Sequence, residues 1–182
     1  MRKEQKANYP ESARGAAALL VRMVLEDGAY TNIALNQYLR GSRLSDLDRR
    51  LATELVYGTV KASGTLDWYL AQCVSRPLDK VAGDILAILR ISTYQLLYMT
   101  RIPASAAVNE AVKLARSVSH EGSAKFVNGV LRGLLRKQEA GAFVLPDAEK
   151  QDADYLSLKY YHPRWLVKRW LGPWRHRTPA GV

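Results

Sequence analysis

The feature that most constrains this chain is helical periodicity, which runs almost unbroken from Ser12 to Lys137. Ala13, Ala16, Ala17, Leu20 and Val24 recur at three- and four-residue steps behind Ser12, a good N-cap, and Gly28 stops that helix. A short helix through Ile33, Leu35 and Leu39 ends at Gly41. Ser45-Asp46-Leu47-Asp48 has the form of a capping box and opens a helix with Leu51, Leu55, Val56 and Val60. Gly64-Thr65 is expected to break and recap the chain before a stripe of Leu66, Tyr69, Leu70 and Cys73, and Arg76-Pro77 ends that stripe. The segment Val81–Met99 is the most apolar. Its Ile85, Leu86, Ile88, Leu89, Leu96 and Leu97 lie on more than one face, which predicts the central, most buried helix. After the Ile102-Pro103 turn, Val108, Ala111, Val112 and Ala115 form another stripe. Ser123 is expected to cap a last strong helix with Phe126, Val127, Val130, Leu131, Leu134 and Leu135. No segment alternates as a strand between hairpin turns, so the expected fold is all-α, a helical bundle.

The flanks differ from this body. Residues 1–11 read as a basic arm, residues 138–151 as a linker with Gly141 and Pro146, and residues 152–171 as a short helical extension split at His162-Pro163. Residues 172–182 carry no apolar period and are expected to lack fixed structure. Nearly half the chain is apolar, enough for a sizeable core.

A net charge of +10 argues for a polyanionic partner, nucleic acid before membrane; a basic protein charged only for solubility is the alternative. The single cysteine, Cys73, excludes an internal disulfide and suits a reducing cytoplasm. His120, His162 and His176 are too dispersed to suggest a metal site. The apolar stretch Ala16–Leu25 is interrupted by Arg22 and lacks a clean cleavage site, so it does not read as a signal peptide. No stretch is long enough to span a bilayer.

Catalytic chemistry is hard to place. No Gly-rich loop follows a strand, so no nucleotide or S-adenosylmethionine cradle is expected. Cys73 sits on an apolar stripe and reads as a core residue, whereas a nucleophilic thiol needs an exposed, electropositive setting. Asn109-Glu110 and Asp48-Arg49 stand beside helix starts, where capping and buried hydrogen bonds explain them better than acid–base work.

The cations are more informative. Arg2, Lys3, Lys6 and Arg14 concentrate in the arm and the first turn of the first helix, a setting that suits phosphate. Lys125 and Arg132, seven residues apart, share a face of the last strong helix with Arg136 and Lys137 nearby. Phe126 is either a ring for base stacking or a core residue on a solvated face.

Several segments in order resemble the NusB family: Ala13-Arg14; Leu89-Arg90-Ile91-Ser92-Thr93-Tyr94-Gln95-Leu96-Leu97; Val108-Asn109-Glu110-Ala111-Val112-Lys113-Leu114-Ala115; and Lys125-Phe126-Val127-Asn128-Gly129-Val130-Leu131-Arg132. The run from Asp48 to Val60 and the run Tyr160-Tyr161-His162-Pro163-Arg164-Trp165-Leu166-Val167 narrow the likeness. They resemble the NusB-like front domain of small-subunit rRNA 5-methylcytosine methyltransferases of the RsmB/Sun type, and the start of their methyltransferase half. A free-standing NusB is expected to end near Lys137.

The resemblance implies a NusB-like bundle over residues 12–137, with the truncated start of a methyltransferase region over residues 152–171. It implies RNA binding directed at small-subunit rRNA, with Arg2, Lys3, Lys6, Arg14 and Phe126 facing RNA. The family's enzymes carry an S-adenosylmethionine-binding sheet and two cysteines, one after proline and one after threonine. Here Cys73 follows Gln72, so neither methyl transfer nor that cofactor is expected of this chain. Beyond Trp170 the sequence no longer resembles the family, as a truncation or a shifted reading frame would produce. Two other functions remain: an antitermination factor binding rRNA leader with a ribosomal protein, and a helical protein-interaction module.

Overall fold

The computed structural model describes residues 8–146 and 152–174, and every regular element among them is helical. Eight α-helices follow in order: α1 Ala13–Leu25, α2 Thr31–Gly41, α3 Asp46–Ala71, α4 Gly83–Tyr98, α5 Ala104–Val118, α6 Glu121–Glu139, α7 Ala153–Tyr160 and α8 Arg164–Trp174. A 3-10 turn, Leu78–Lys80, lies between α3 and α4. No helix among the described residues is long and apolar enough to cross a membrane.

The expected central helix is α4. From Ile85 to Thr93 every residue is buried, against α1 and α3 on one side and α5 and α6 on the other. Leu89 is fully buried, but Leu96 is only partly so, because α4 is leaving the core in its last turns. Small side chains make α1 an inner helix as well, with Ala16, Ala17 and Ala18 wholly buried. Ser12 caps α1 by accepting from the Gly15 N–H at 3.1 Å. Residues 8–12 then fold back beside α1, and the Pro10 carbonyl lies where a Cβ on Gly15 would stand, at 2.1 Å. Tyr9 fastens this segment by donating its hydroxyl to Asp84 Oδ1 of α4 at 2.5 Å.

Three local expectations need correction. The first concerns Gly64-Thr65, where α3 runs straight through to Ala71. Leu55, Thr59, Ala62, Leu66 and Leu70 keep one continuous buried row, and its packing outweighs a glycine penalty of about 1 kcal/mol. The second is the cap of α6, which is His120. Its ring Nδ1 accepts from the Ser123 N–H at 3.3 Å, so Ser123 already lies in the first turn. Starting earlier places Glu121 at the positive end of the helix, where Arg116 also pairs with it at 2.6 Å. The third concerns the ends of α6 and α8. α6 continues two residues into the segment read as a linker, and α8 reaches Trp174, so residues 172–174 of the expected unstructured tail are helical.

Polar groups beside the helix starts act structurally. Ser45 accepts from the Asp48 N–H at 3.2 Å and donates its own hydroxyl to the Asp48 carboxylate at 2.8 Å. Arg49 donates to the carbonyls of Leu39, Ser42 and Leu44, gathering acceptors where α2 ends and α3 begins. Arg90, almost buried in α4, is held by both oxygens of Asp67 at 2.8 and 2.9 Å and by Glu26 at 3.0 Å, which ties α1, α3 and α4 together.

The pair α7–α8 rests on α3. Thr65 donates to the Leu158 carbonyl at 2.9 Å, and Tyr161, at a left-handed φ of 58°, stacks edge-on against Tyr98 at 5.6 Å.

Candidate nucleic-acid interface

The two faces of α6 have opposite chemistry. Ala124, Val127, Val130, Leu131 and Leu134 are buried against the bundle. Lys125, Arg132 and Arg136 are exposed, and their spacing of seven and four residues puts them on one outer row with Gly129. Arg132 is steadied by the Asn128 side-chain oxygen, which accepts from its Nε at 2.9 Å. Glu121, the acid at the start of this helix, hydrogen-bonds Arg116, which holds its carboxyl below the usual range and satisfies its charge within the protein.

Phe126 is neither a core ring nor an open platform. It is half-buried against the main core, and the Arg76 guanidinium lies over its ring at 4.7 Å. Arg76 comes from the α3–α4 connection, which runs alongside α6. A cavity of about 330 Å³ sits on one side of this pair, with Arg76, Lys80, Ile85, His120 and Phe126 among its walls. A separate, shallower one of about 490 Å³ lies further along α6, between Gln72–Ser75 and the α6 residues Gly129, Gly133, Arg136 and Lys137, where Lys137 donates to the Gln72 carbonyl. Sequence reasoning missed Arg76 and Lys80 as site residues. Arg76-Pro77 read as a helix stop, and only the folded connection brings these cations to α6.

Arg14 stands apart from this surface. It is half-buried, and its Nε donates to Gln95 Oε1 at 2.8 Å near the end of α4. Phe126 is packed near Ile85, ten residues back along α4, or roughly 15 Å of helix. The structure therefore groups Lys125, Phe126 and Arg132 but places Arg14 at the other end of α4. Arg2, Lys3 and Lys6 lie outside the described residues. The described chain before α1 is fastened at Tyr9 to Asp84, the residue beside Ile85, at the α4 end near Phe126. Cys73 is half-buried; burial pushes its thiol up against the opposing charge of Lys137, so it stays protonated at neutral pH and is a poor nucleophile.

These features define an all-helical bundle with a cationic helix face and an aromatic–arginine pair at its edge. The family model for the NusB family matches residues 11–136, and the chain belongs to the NusB family. Curated relatives match further along the chain. A probable ribosomal RNA small subunit methyltransferase B of Synechocystis sp. is 40% identical over 163 residues, 90% of this chain and 36% of that protein. A protein of the same description from Bacillus subtilis is 37% identical, over 87% of this chain and 34% of that protein. The chain thus spans about a third of the length of these relatives and corresponds to their N-terminal part. Among solved structures, antitermination factors NusB and NusE in complex with double-stranded RNA share the fold, with a TM-score of 0.63 at 20% identity over 69% of this chain and 95% of that one.

Proposed function

We propose that this chain is the RNA-binding module of a small-subunit rRNA cytosine methyltransferase and that it holds the substrate RNA through phosphate and base contacts. The observation that carries this reading is the exposed cationic row of α6 beside the Arg76–Phe126 pair, which offers charge for phosphates and flat groups for bases in one place. The net charge of +10 supports it. The likeness to the methyltransferase relatives extends past residue 136, where the family model ends, and this favours the methyltransferase setting over an antitermination factor with a ribosomal protein partner. Methyl transfer and the S-adenosylmethionine site are assigned to the part of such enzymes that this chain does not match.

Fluorescence anisotropy with a short small-subunit rRNA hairpin over a salt series tests the reading. Each cation that engages a phosphate contributes about 0.7 to the salt slope on a single-stranded segment. Deleting residues 1–6 removes Arg2, Lys3 and Lys6 and should flatten the slope by roughly 2 if all three engage. Lys125→Ala with Arg132→Ala should flatten it by roughly a further 1.4. Binding that ignores both changes and the salt would overturn RNA binding and favour a protein-interaction module.

A further inference from the structure

We infer that the cavity between α7 and α8 takes an unpaired nucleobase of the bound RNA, with cations around its mouth for the neighbouring phosphates; this rests on the RNA-binding reading and adds a contact on the α7–α8 pair. The cavity lies outside residues 11–136, which the family model matches. Leu156 and Tyr160 of α7, His162 of the turn, and Val167, Trp170 and Leu171 of α8 border about 410 Å³ of apolar space. That volume is at the small end of the roughly 300–1,000 Å³ of small-molecule pockets and suits a single base.

Three observations point to this occupant. The first is the open rings. His162 meets Trp170 edge-on with centroids 5.3 Å apart, and Tyr160 and Trp170 each keep about half of their surface in solvent. Aromatic side chains placed this way stack on any base, because every base has a flat π-face. The second is the charge. The Lys159 ammonium stands 5.6 Å from the centre of the Tyr160 ring, and Lys168 and Arg169 are exposed just before Trp170. The two acids of the pair are engaged elsewhere. Asp152 caps α7 by accepting from the Tyr155 N–H at 2.9 Å, and Asp154 is paired with Arg164. An occupant must therefore be flat and apolar in its body and anionic at its edges, which a base with its phosphates is. A second copy of the chain would bring the same cations and a net charge of +10 against them. The third is the polar rim. The exposed His162 ring and the Tyr160 hydroxyl are hydrogen-bonding groups beside an apolar floor of Leu156, Val167 and Leu171, the combination that orients a base edge.

The full chain is tested by fluorescence anisotropy with three RNAs: a bare small-subunit rRNA hairpin, the same hairpin with a short unpaired tail, and a version whose tail is abasic, keeping the phosphates without the bases. The normal tail should bind about tenfold tighter than the abasic one, the size of one base–aromatic stack. Trp170→Leu keeps an apolar, helix-forming side chain and should lose that gain while its affinity for the bare hairpin stays unchanged. Trp165→Leu, on α8 but away from the cavity walls, should keep the gain. Equal affinity of the unaltered chain for normal and abasic tails overturns the pocket and leaves RNA binding standing. Equal loss in both tryptophan variants, each with the circular dichroism of the unaltered chain, also overturns it. So does sedimentation of the full chain as a dimer that Trp170→Leu abolishes, since a second copy then fills the cavity. Failure of the unaltered chain to bind even the bare hairpin overturns the reading on which the pocket rests.

Discussion

Arg90 shows how much can depend on one side chain. Burial works against its charge, but the hydrogen bonds and charges of Asp67, and then of Glu26, outweigh it and hold the guanidinium firmly charged. Its side chain is 10% exposed, so losing a partner leaves a charge that water reaches poorly. Asp67→Ala removes both of its oxygens and should cost about 2 kcal/mol, below the roughly 3–5 of a fully buried pair because Asp67 is itself about a third exposed. Glu26→Gln should cost less, since one bond to a more exposed group is lost. Denaturant midpoints would give the order, and equal costs would mean that Asp67 and Glu26 share the charge evenly. Tyr9 makes a pH-dependent contribution of the same local kind. Burial, then the hydrogen bond and charge of Asp84, hold its phenol well above the usual range. An unfolded tyrosine loses its proton near pH 10. Above that pH the folded chain keeps a proton that the unfolded chain has lost, so the stabilisation is complete below about pH 10 and declines as pH rises. The stability advantage of the native chain over Tyr9→Phe should therefore narrow by about 1.4 kcal/mol per pH unit above 10. Unfolding measured from pH 8 to 11 would show this, and a constant difference would mean that Tyr9 is not held by Asp84 in solution.

At the scale of elements, burial ranks the helices. Leu89→Ala should cost on the order of 2–5 kcal/mol, because it opens a cavity at the centre of α4. Leu96→Ala should cost about 1–2 kcal/mol, since part of that side chain already meets water. Equal midpoint shifts in chemical denaturation would contradict this ranking. The existence, type and order of the helices were legible because the apolar stripes repeat at the helical period and Ser12 and Ser45 cap where they should. The ends were less legible for a local reason in each case. Gly64 looks like a breaker until Leu66 and Leu70 are seen to continue the buried row begun by Leu55. Ser123 looks like a cap because nothing in the sequence shows that the His120 ring turns back to its N–H. The candidate interface was half legible. Lys125, Phe126 and Arg132 share one helix and so one pattern, whereas Arg76 reaches Phe126 only through the folding of a connection that carries no period. The tie between Arg14 and Gln95 spans 81 residues of sequence and leaves no local signal at all.

At the scale of the whole molecule, the bundle and the α7–α8 pair are unequal partners. Residues buried in α1 and α3–α6 form a continuous core, whereas no residue of α7 is fully buried. The pair is held to α3 and α4 by the Thr65–Leu158 hydrogen bond and the Tyr98–Tyr161 contact. It also leaves Tyr160, Trp165 and Trp170 half or more exposed, and Tyr160 and Trp170 border an apolar cavity of about 410 Å³. A chain cut after Pro146 keeps the whole α1–α6 core and Phe143, which packs on Trp68 and Tyr69 at the end of α3. That chain should unfold in one cooperative step, at a cost of only about 1–2 kcal/mol for the lost hydrogen bond and ring contact. It should bind the rRNA hairpin as the full chain does, because the α6 surface is untouched. Its remaining tryptophan, Trp68, reports on the far end of α3. If Trp68 fluorescence and helical circular dichroism melt together near the midpoint of the full chain, the bundle is self-sufficient. If Trp68 melts early, α7–α8 is clamping the end of α3, and the extension is part of the folding unit rather than an appendage to it.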